Sequence, residues 1–136
     1  MRAVIDTNII IRAMIKPAGT VGPVLGRLRN GEFVAVYSEP ILEEIAAKLA
    51  LPRISKKYQV GETEVEGLFA LLAVRGELVK PGRSVRICRD PDDDMLIGAA
   101  LEGKAEWVVT GDRDLLTLEK FEEVRFVTPR IFLQAF

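Results

Sequence analysis

The chain alternates between short runs of apolar, often β-branched residues and longer segments in which apolar positions recur every three or four residues. Runs of the first kind predict strands, and segments of the second kind predict amphipathic helices. The predicted strands are Arg2–Asp6, Phe33–Ser38, Trp107–Thr110 and Arg125–Thr128, with Leu78–Lys80 as a weaker fifth. No internal repeat or low-complexity tract interrupts this alternation.

Helices are predicted between the strands, because the intervening segments carry apolar stripes and the residues that begin or end helices. A first helix, which follows Asp6 in the sequence, is predicted to contain residues 9–14. The other boundaries are marked by Ser38 as an N-cap with Pro40 behind it, by the capping-box spacing of Thr63 and Glu66, by the aspartates at 90–94 with a stop at Gly103, and by Pro129 at the start of a last helix.

Strands that alternate with helices are joined by right-handed crossovers into a parallel sheet that is covered on both faces. The sequence therefore predicts a single α/β domain over residues 1–136, a three-layer α/β/α fold around a mainly parallel sheet of four or five strands. Ligands of such sheets bind beyond the carboxyl ends of the strands. The residues that directly follow each strand are therefore the candidates for chemistry.

Composition excludes several classes of protein. Apolar residues make up 49% of the chain and charged residues 29%, which is typical of a folded domain and not of a disordered chain. There is no histidine and one cysteine, so zinc fingers, histidine-based triads and haem-histidine sites are excluded. The start of the chain lacks the order of a signal peptide, and the apolar runs are too short to span a membrane. A cytoplasmic location is therefore expected.

The acidic groups are concentrated in the last third of the chain. The net charge is −1, but residues 86–136 carry 11 acidic and 7 basic groups. The densest block is Asp90, Asp92, Asp93 and Asp94. Such a block repels itself unless it is solvated, lies along a helix start, or is neutralised by a cation.

Acidic residues also follow the predicted strands: Asp6 closes the first strand, and Asp112 comes just after Trp107–Thr110. Each acid alone has a simpler interpretation, as a helix cap or a solvent-facing group. Helical periodicity does not choose between Asp93 and Asp94. Together, however, acids at one end of one sheet would repel strongly without a compensating cation. Since only oxygen ligands are available, Mg²⁺ or Mn²⁺ is preferred to Zn²⁺.

Four segments, in order, match the motifs of one known family. Val4-Ile5-Asp6-Thr7-Asn8 resembles a strand-end D-T-N motif, and residues 38–49 resemble a serine followed by a Glu-Leu helix in which the acid is Glu44. Residues 94–99 resemble a D-x-x-I-A-A helix, with Gly98 where alanine is more usual, and residues 108–115 resemble a V-T-x-D strand exit. The chain thus resembles the PIN domain family of metal-dependent nucleases along almost its whole length.

The resemblance implies a cytoplasmic, Mg²⁺- or Mn²⁺-dependent endoribonuclease, homodimeric or of higher order, that is often the toxin of a toxin–antitoxin pair whose small antitoxin covers the acidic pocket. It favours Asp94 over Asp93, because the interval of sixteen positions to Thr110 fits the family. The implied catalytic and metal-binding residues are Asp6, Glu44, Asp94 and Asp112, and the implied supporting residues are Asn8, Thr110 and Asp114.

An acidic pocket that acts on a polyanion is expected to have phosphate-contacting cations at its rim. The candidates follow the first strand and the Glu44 helix: Arg12, Lys16, Lys48, Arg53, Lys56 and Lys57. Each also has an ordinary interpretation as a solvated surface side chain. No motif for RNA recognition is present, so the sequence indicates no base preference.

Two other classes compete with the nuclease. A Mg²⁺-dependent phosphatase of the haloacid dehalogenase type requires an aspartate two places after the first, where this chain has Asn8, and a receiver domain requires paired acids at the first strand and a late lysine. A non-catalytic RNA- or protein-binding module would keep the fold but not need the full set of acids.

Overall fold

The structure is a computed structural model that describes residues 1–136. Its elements, in chain order, are β1 (Arg2–Ile5), α1 (Thr7–Ile15), α2 (Gly22–Arg29), β2 (Val34–Ser38), α3 (Glu39–Leu49), α4 (Pro52–Ser55), α5 (Glu62–Arg75), β3 (Gly76–Val79), α6 (Pro91–Glu102), β4 (Trp107–Val109), α7 (Arg113–Leu118), β5 (Lys120–Phe121), β6 (Val124–Val127) and α8 (Pro129–Leu133).

The strands form one six-stranded sheet in the order β3-β2-β1-β4-β6-β5. All neighbours pair in parallel except β5, which runs antiparallel to β6. The predicted mainly parallel α/β/α fold is confirmed, and each of the five predicted segments contributes a strand. The sixth strand, Lys120–Phe121, is an addition to the prediction. Two residues are too few to produce a periodic pattern.

The central strands are buried on both faces, which explains why they are continuous apolar runs and do not alternate. Ala3, Val4 and Ile5 of β1 and Val108 and Val109 of β4 are all buried in one hydrophobic core. Helix α6 packs against β1, β2 and β4 and supplies much of this core. The buried middle of the sheet thus fixes the positions of the residues that follow β1 and β4. No helix in the chain is both long and apolar enough to cross a membrane.

The helix starts differ in detail from the prediction. The predicted Thr63 and Glu66 capping box is wrong, because α5 begins earlier, at Glu62. The Glu64 side chain instead accepts a hydrogen bond from the backbone N–H of Gly61 at 3.1 Å. Ser38 does occupy the N-cap position of α3, but its hydroxyl makes no capping hydrogen bond. The start of α5 thus lies two residues before the predicted one, whereas the start of α3 lies where it was predicted.

Candidate metal centre

The acidic side chains gather at the carboxyl edge of the sheet, where β1 and β4 lie side by side. From β1 the chain continues to β2 on one side, whereas β4 continues to β6 on the other side. The strand order therefore reverses between β1 and β4, and such a reversal opens a crevice in which open α/β sheets bind their ligands. Asp6 follows β1 into this crevice, and Thr110 and Asp112 follow β4.

Thr110 fixes Asp6 across the crevice. Asp6 is 8% exposed, and its Oδ2 accepts a hydrogen bond of 2.7 Å from the hydroxyl of Thr110. The other oxygen, Oδ1, accepts from the backbone N–H of Asn8 at 3.1 Å, so Asp6 also caps α1. The Thr110 hydroxyl in turn accepts from the backbone N–H of Asp112 at 3.0 Å. One buried hydroxyl thereby ties the ends of β1 and β4 together.

We expect the substitution Thr110→Val to lower the free energy of unfolding by about 1–3 kcal/mol, because it removes a donor to Asp6 and leaves the N–H of Asp112 without a partner. Urea unfolding checks this, with Thr110→Ser as the matched control, since serine keeps the hydroxyl. Equal stability of the valine variant and the wild type would show that the hydroxyl bridge contributes nothing.

Asp93 is the carboxylate of α6 that faces Asp6 and Asp112. It is 6% exposed, and its Oδ2 is buried without a hydrogen-bond partner. Burial, followed by the negative charges of Asp112, Asp90 and Asp6, raises the pKa of Asp93 to about 7. Several carboxylates thus compete for one small volume, which costs free energy unless a proton or a cation is present.

The structure corrects the sequence-based choice of Asp94. The Oδ1 atom of Asp94 accepts from the backbone N–H groups of Ile87 and Cys88, at 3.1 and 2.9 Å, so this carboxylate holds the loop before α6 and does not face Asp6. Consecutive helical residues point about 100° apart, so only one of the two can face the crevice. In the structure the positions three, four and seven places after Asp93 are all buried, which places Asp93 on the buried face of α6: Leu96, Ile97 and Ala100.

Glu44 and Lys48 form a charged pair beside the crevice. Lys48 Nζ lies 3.0 Å from Glu44 Oε1 and also donates to Thr7 Oγ1 at 3.2 Å and Asn8 Oδ1 at 3.0 Å. Glu44 also lies close to Asp92, whose pKa is raised by burial and then by the charge of Glu44. Lys48, predicted as a cation for RNA, is therefore occupied by internal contacts that connect α3 to the start of α1.

Asp112 and Asp114 serve the start of α7. The side chain of Asp112 accepts from the backbone N–H of Asp114 at 2.7 Å, so it caps this helix as well as facing Asp93. Both oxygens of Asp114 accept from Arg89, at 2.8 Å. Asp114 is thus paired with a cation, and Asp112 is the residue of this turn that is directed to the crevice.

The remaining predicted cations lie on the surface. All five are exposed and none forms an ion pair within the chain: Arg12, Lys16, Arg53, Lys56 and Lys57. Arg12 borders a surface cavity together with Gly111, the residue between Thr110 and Asp112. Arg12 is therefore the exposed cation with the clearest connection to the acidic crevice.

The donors in the crevice fit a hard divalent cation. Asp6, Asp93 and Asp112 offer only oxygen atoms, and one buried oxygen of Asp93 has no partner in the chain. No three aspartate, glutamate, cysteine or histidine side chains lie close enough together in this structure to hold a metal ion between them. The oxygen donors still fit Mg²⁺ or Mn²⁺, because Mg²⁺ keeps several water ligands and binds through one or two carboxylates.

The architecture and this crevice define an α/β/α domain with an acidic site at the reversal of strand order. The PIN domain family matches residues 2–114, so the chain belongs to the PIN domain family. PIN domains are generally nucleases. An uncharacterised protein of Methanocaldococcus jannaschii, MJ1680, is 31% identical over 144 aligned positions, which cover 100% of this chain and 92% of that protein. No solved structure matches the chain.

Proposed function

We propose that this protein is a Mg²⁺- or Mn²⁺-dependent endoribonuclease that hydrolyses RNA phosphodiester bonds. The observation that carries the proposal is the buried Asp93 carboxylate, which has an unpartnered oxygen and faces Asp6 and Asp112. Mutually repelling carboxylates in a crevice are stabilised by a bound cation, and a cation held by carboxylates alone serves phosphodiester hydrolysis without histidine.

Asp6, Asp93 and Asp112 would hold the cation. When bound, the cation supplies a Lewis acid that activates water and neutralises charge on the phosphate. Thr110 keeps Asp6 oriented through its 2.7 Å hydrogen bond. Glu44, held by Lys48, stands beside the same crevice and is the remaining candidate for orienting the attacking water.

The exposed cations are proposed to attract the RNA backbone. They number five and have no ion-pair partner in the chain: Arg12, Lys16, Arg53, Lys56 and Lys57. Binding through such side chains weakens as salt rises, because each phosphate contact releases condensed counterions.

The proposal extends to the biological role. We propose that the chain acts in the cytoplasm as a homodimer or larger homo-oligomer, and that it is the toxin of a toxin–antitoxin pair whose small partner covers the acidic crevice. Membership of the PIN domain family supports this role. Co-purification of the tagged chain with a protein encoded beside it tests the pairing.

The direct test is cleavage of single-stranded and structured RNAs in Mg²⁺, in Mn²⁺ and in EDTA. We expect cleavage that depends on the metal, is lost in Asp6→Asn, and is retained in Glu102→Gln, an exposed acid at the other end of α6. RNA binding without cleavage in any metal would refute the nuclease and favour a non-catalytic binding module. Equal cleavage by Asp6→Asn would remove Asp6 from the site.

A further inference from the structure

A second cavity lies on the other side of the first turns of α6 from the acidic crevice. Its volume is about 540 Å³, within the range of about 300–1,000 Å³ for small-molecule sites. The end of β2, the loop of residues 80–90 and α6 enclose it. Asp94 and Met95 line this cavity, whereas Asp93 faces the crevice. The two sites are thus separated by a single helix.

Ser38 gives the cavity a polar group without a partner. Ser38 is one of the residues around the cavity, is 0% exposed, and has a hydroxyl that forms no hydrogen bond. Buried hydroxyl groups are almost always hydrogen-bonded, because an unpaired one costs free energy. An N-cap hydroxyl usually accepts a hydrogen bond from a backbone N–H in the first turn of its helix. The Ser38 hydroxyl makes no such bond with α3. A ligand in the cavity is the simplest partner for this group.

Gly98 keeps the cavity open on the α6 side. A Cβ atom at this buried position would lie 3.9 Å from Pro81 Cβ, an ordinary contact distance, so the backbone does not require glycine here. Glycine inside a helix is less stable than alanine. The missing methyl group therefore enlarges the cavity at the expense of helix stability.

The mouth of the cavity is basic and its walls are partly apolar. Arg83 and Arg86 lie on the loop, and Val85 and Met95 supply apolar surface. Arg83 is paired with Glu122 at 2.6 Å, whereas Arg86 has no ion-pair partner in the chain. The hydrogen bonds that the neighbouring Asp94 accepts from the loop backbone hold this loop against α6.

We propose that this cavity binds one nucleotide of a single-stranded RNA, next to the phosphodiester that is cut. The base lies between the apolar walls and Arg86 contacts its phosphate. The Ser38 hydroxyl is closed off in the free chain, so a shift of the loop of residues 80–90 on binding brings the base edge within hydrogen-bond distance of it. Splayed, unstacked bases held in protein pockets are the usual basis of sequence-specific recognition of RNA. That the nucleotide belongs to an RNA strand rests on the proposed ribonuclease function. That the cavity binds a nucleotide at all rests on the cavity alone.

Binding to the wild-type chain in EDTA tests the proposal without cleavage. We expect AMP, CMP, GMP or UMP to shift the backbone NMR signals of residues 84–88 and 98. Ser38→Ala is expected to lower the affinity for the tightest-binding of these nucleotides about three- to tenfold. The same substitution should raise the Tm of the free protein, since it removes an unpaired buried hydroxyl. If Ser38 had only a structural role, its substitution would not lower the nucleotide affinity while raising the Tm.

Salt dependence tests the phosphate contact. With a short single-stranded RNA, Arg86→Ala is expected to reduce the slope of log Kobs against log salt by about 0.7. The matched control is Arg125→Ala, an exposed arginine at the amino ends of the strands, where it pairs with Trp107. Its slope should equal that of the wild type. Equal slopes for Arg86→Ala and Arg125→Ala would overturn the phosphate contact.

The two proposals fail separately. Metal-dependent RNA cleavage without nucleotide shifts at the cavity would overturn the nucleotide site and leave the ribonuclease intact. Nucleotide shifts that Ser38→Ala weakens, in a chain that cuts no RNA, would support the site and refute the ribonuclease. Unchanged affinity of Ser38→Ala for every mononucleotide would overturn the nucleotide site whatever the cleavage result.

Discussion

Asp93→Asn is expected to lower the rate of metal-dependent RNA cleavage by about 10³-fold, which corresponds to about 4 kcal/mol of lost transition-state stabilisation. The amide keeps the shape of the side chain but removes the charge that faces Asp6 and Asp112. Asp94→Asn, one residue further along the same helix, is expected to lower the rate by less than about tenfold, because its side-chain oxygen still accepts from the N–H groups of Ile87 and Cys88.

This comparison is measured as single-turnover cleavage at saturating Mn²⁺ and RNA, with circular dichroism as the check on folding. Glu102→Gln, at the far end of α6, serves as the charge-matched control. A larger loss for Asp94→Asn than for Asp93→Asn would restore the order suggested by the sequence motif and would show that the crevice is rebuilt when metal binds.

Most of the fold follows from the sequence because the central strands are buried on both faces. Continuous apolar runs such as Trp107–Val109 between helical segments leave few alternatives to a parallel sheet. The segments that escaped prediction have no such pattern. Helix α2 includes Gly22, Pro23 and Gly26, a composition typical of loops, and it is helical because it packs against α1. Tertiary contacts there override local propensity.

The site could be predicted as a group of acids but not residue by residue. The ends of β1 and β4 had to meet once the sheet was parallel, so the juxtaposition of Asp6 with the Thr110 strand exit followed from topology. The orientation of α6 did not, because a rotation of about 100° exchanges Asp93 for Asp94. Nor does any motif indicate that Lys48 would be bound by Glu44 and Asn8. Such contacts depend on how α3 and α1 pack.

Without divalent cations, the free energy of unfolding is expected to fall as the pH rises from about 4 to about 7. Asp93 has a pKa of about 7 in the folded chain, against about 3.9 for an unfolded aspartate. Within this window the folded state holds a proton that the unfolded state has released, so raising the pH favours unfolding. Below the window both states are protonated, and above it both are ionised. The contribution of Asp93 is about 1–4 kcal/mol.

Urea unfolding of the wild type and Asp93→Asn across this window measures the contribution of Asp93, because the asparagine has no proton to release. The difference in stability between the two chains should grow in favour of Asp93→Asn up to about pH 7. Mn²⁺ should reverse it at pH 8, since a cation that binds the ionised carboxylates stabilises the folded wild type more than Asp93→Asn, which lacks one of the ligands. At pH 4.5 the same Mn²⁺ should stabilise the wild type much less than at pH 8, because Asp93 is then protonated. Equal pH profiles for the two chains, or the same Mn²⁺ stabilisation of both at pH 8, would mean that the charge of Asp93 neither repels Asp6 and Asp112 nor contributes to holding a cation.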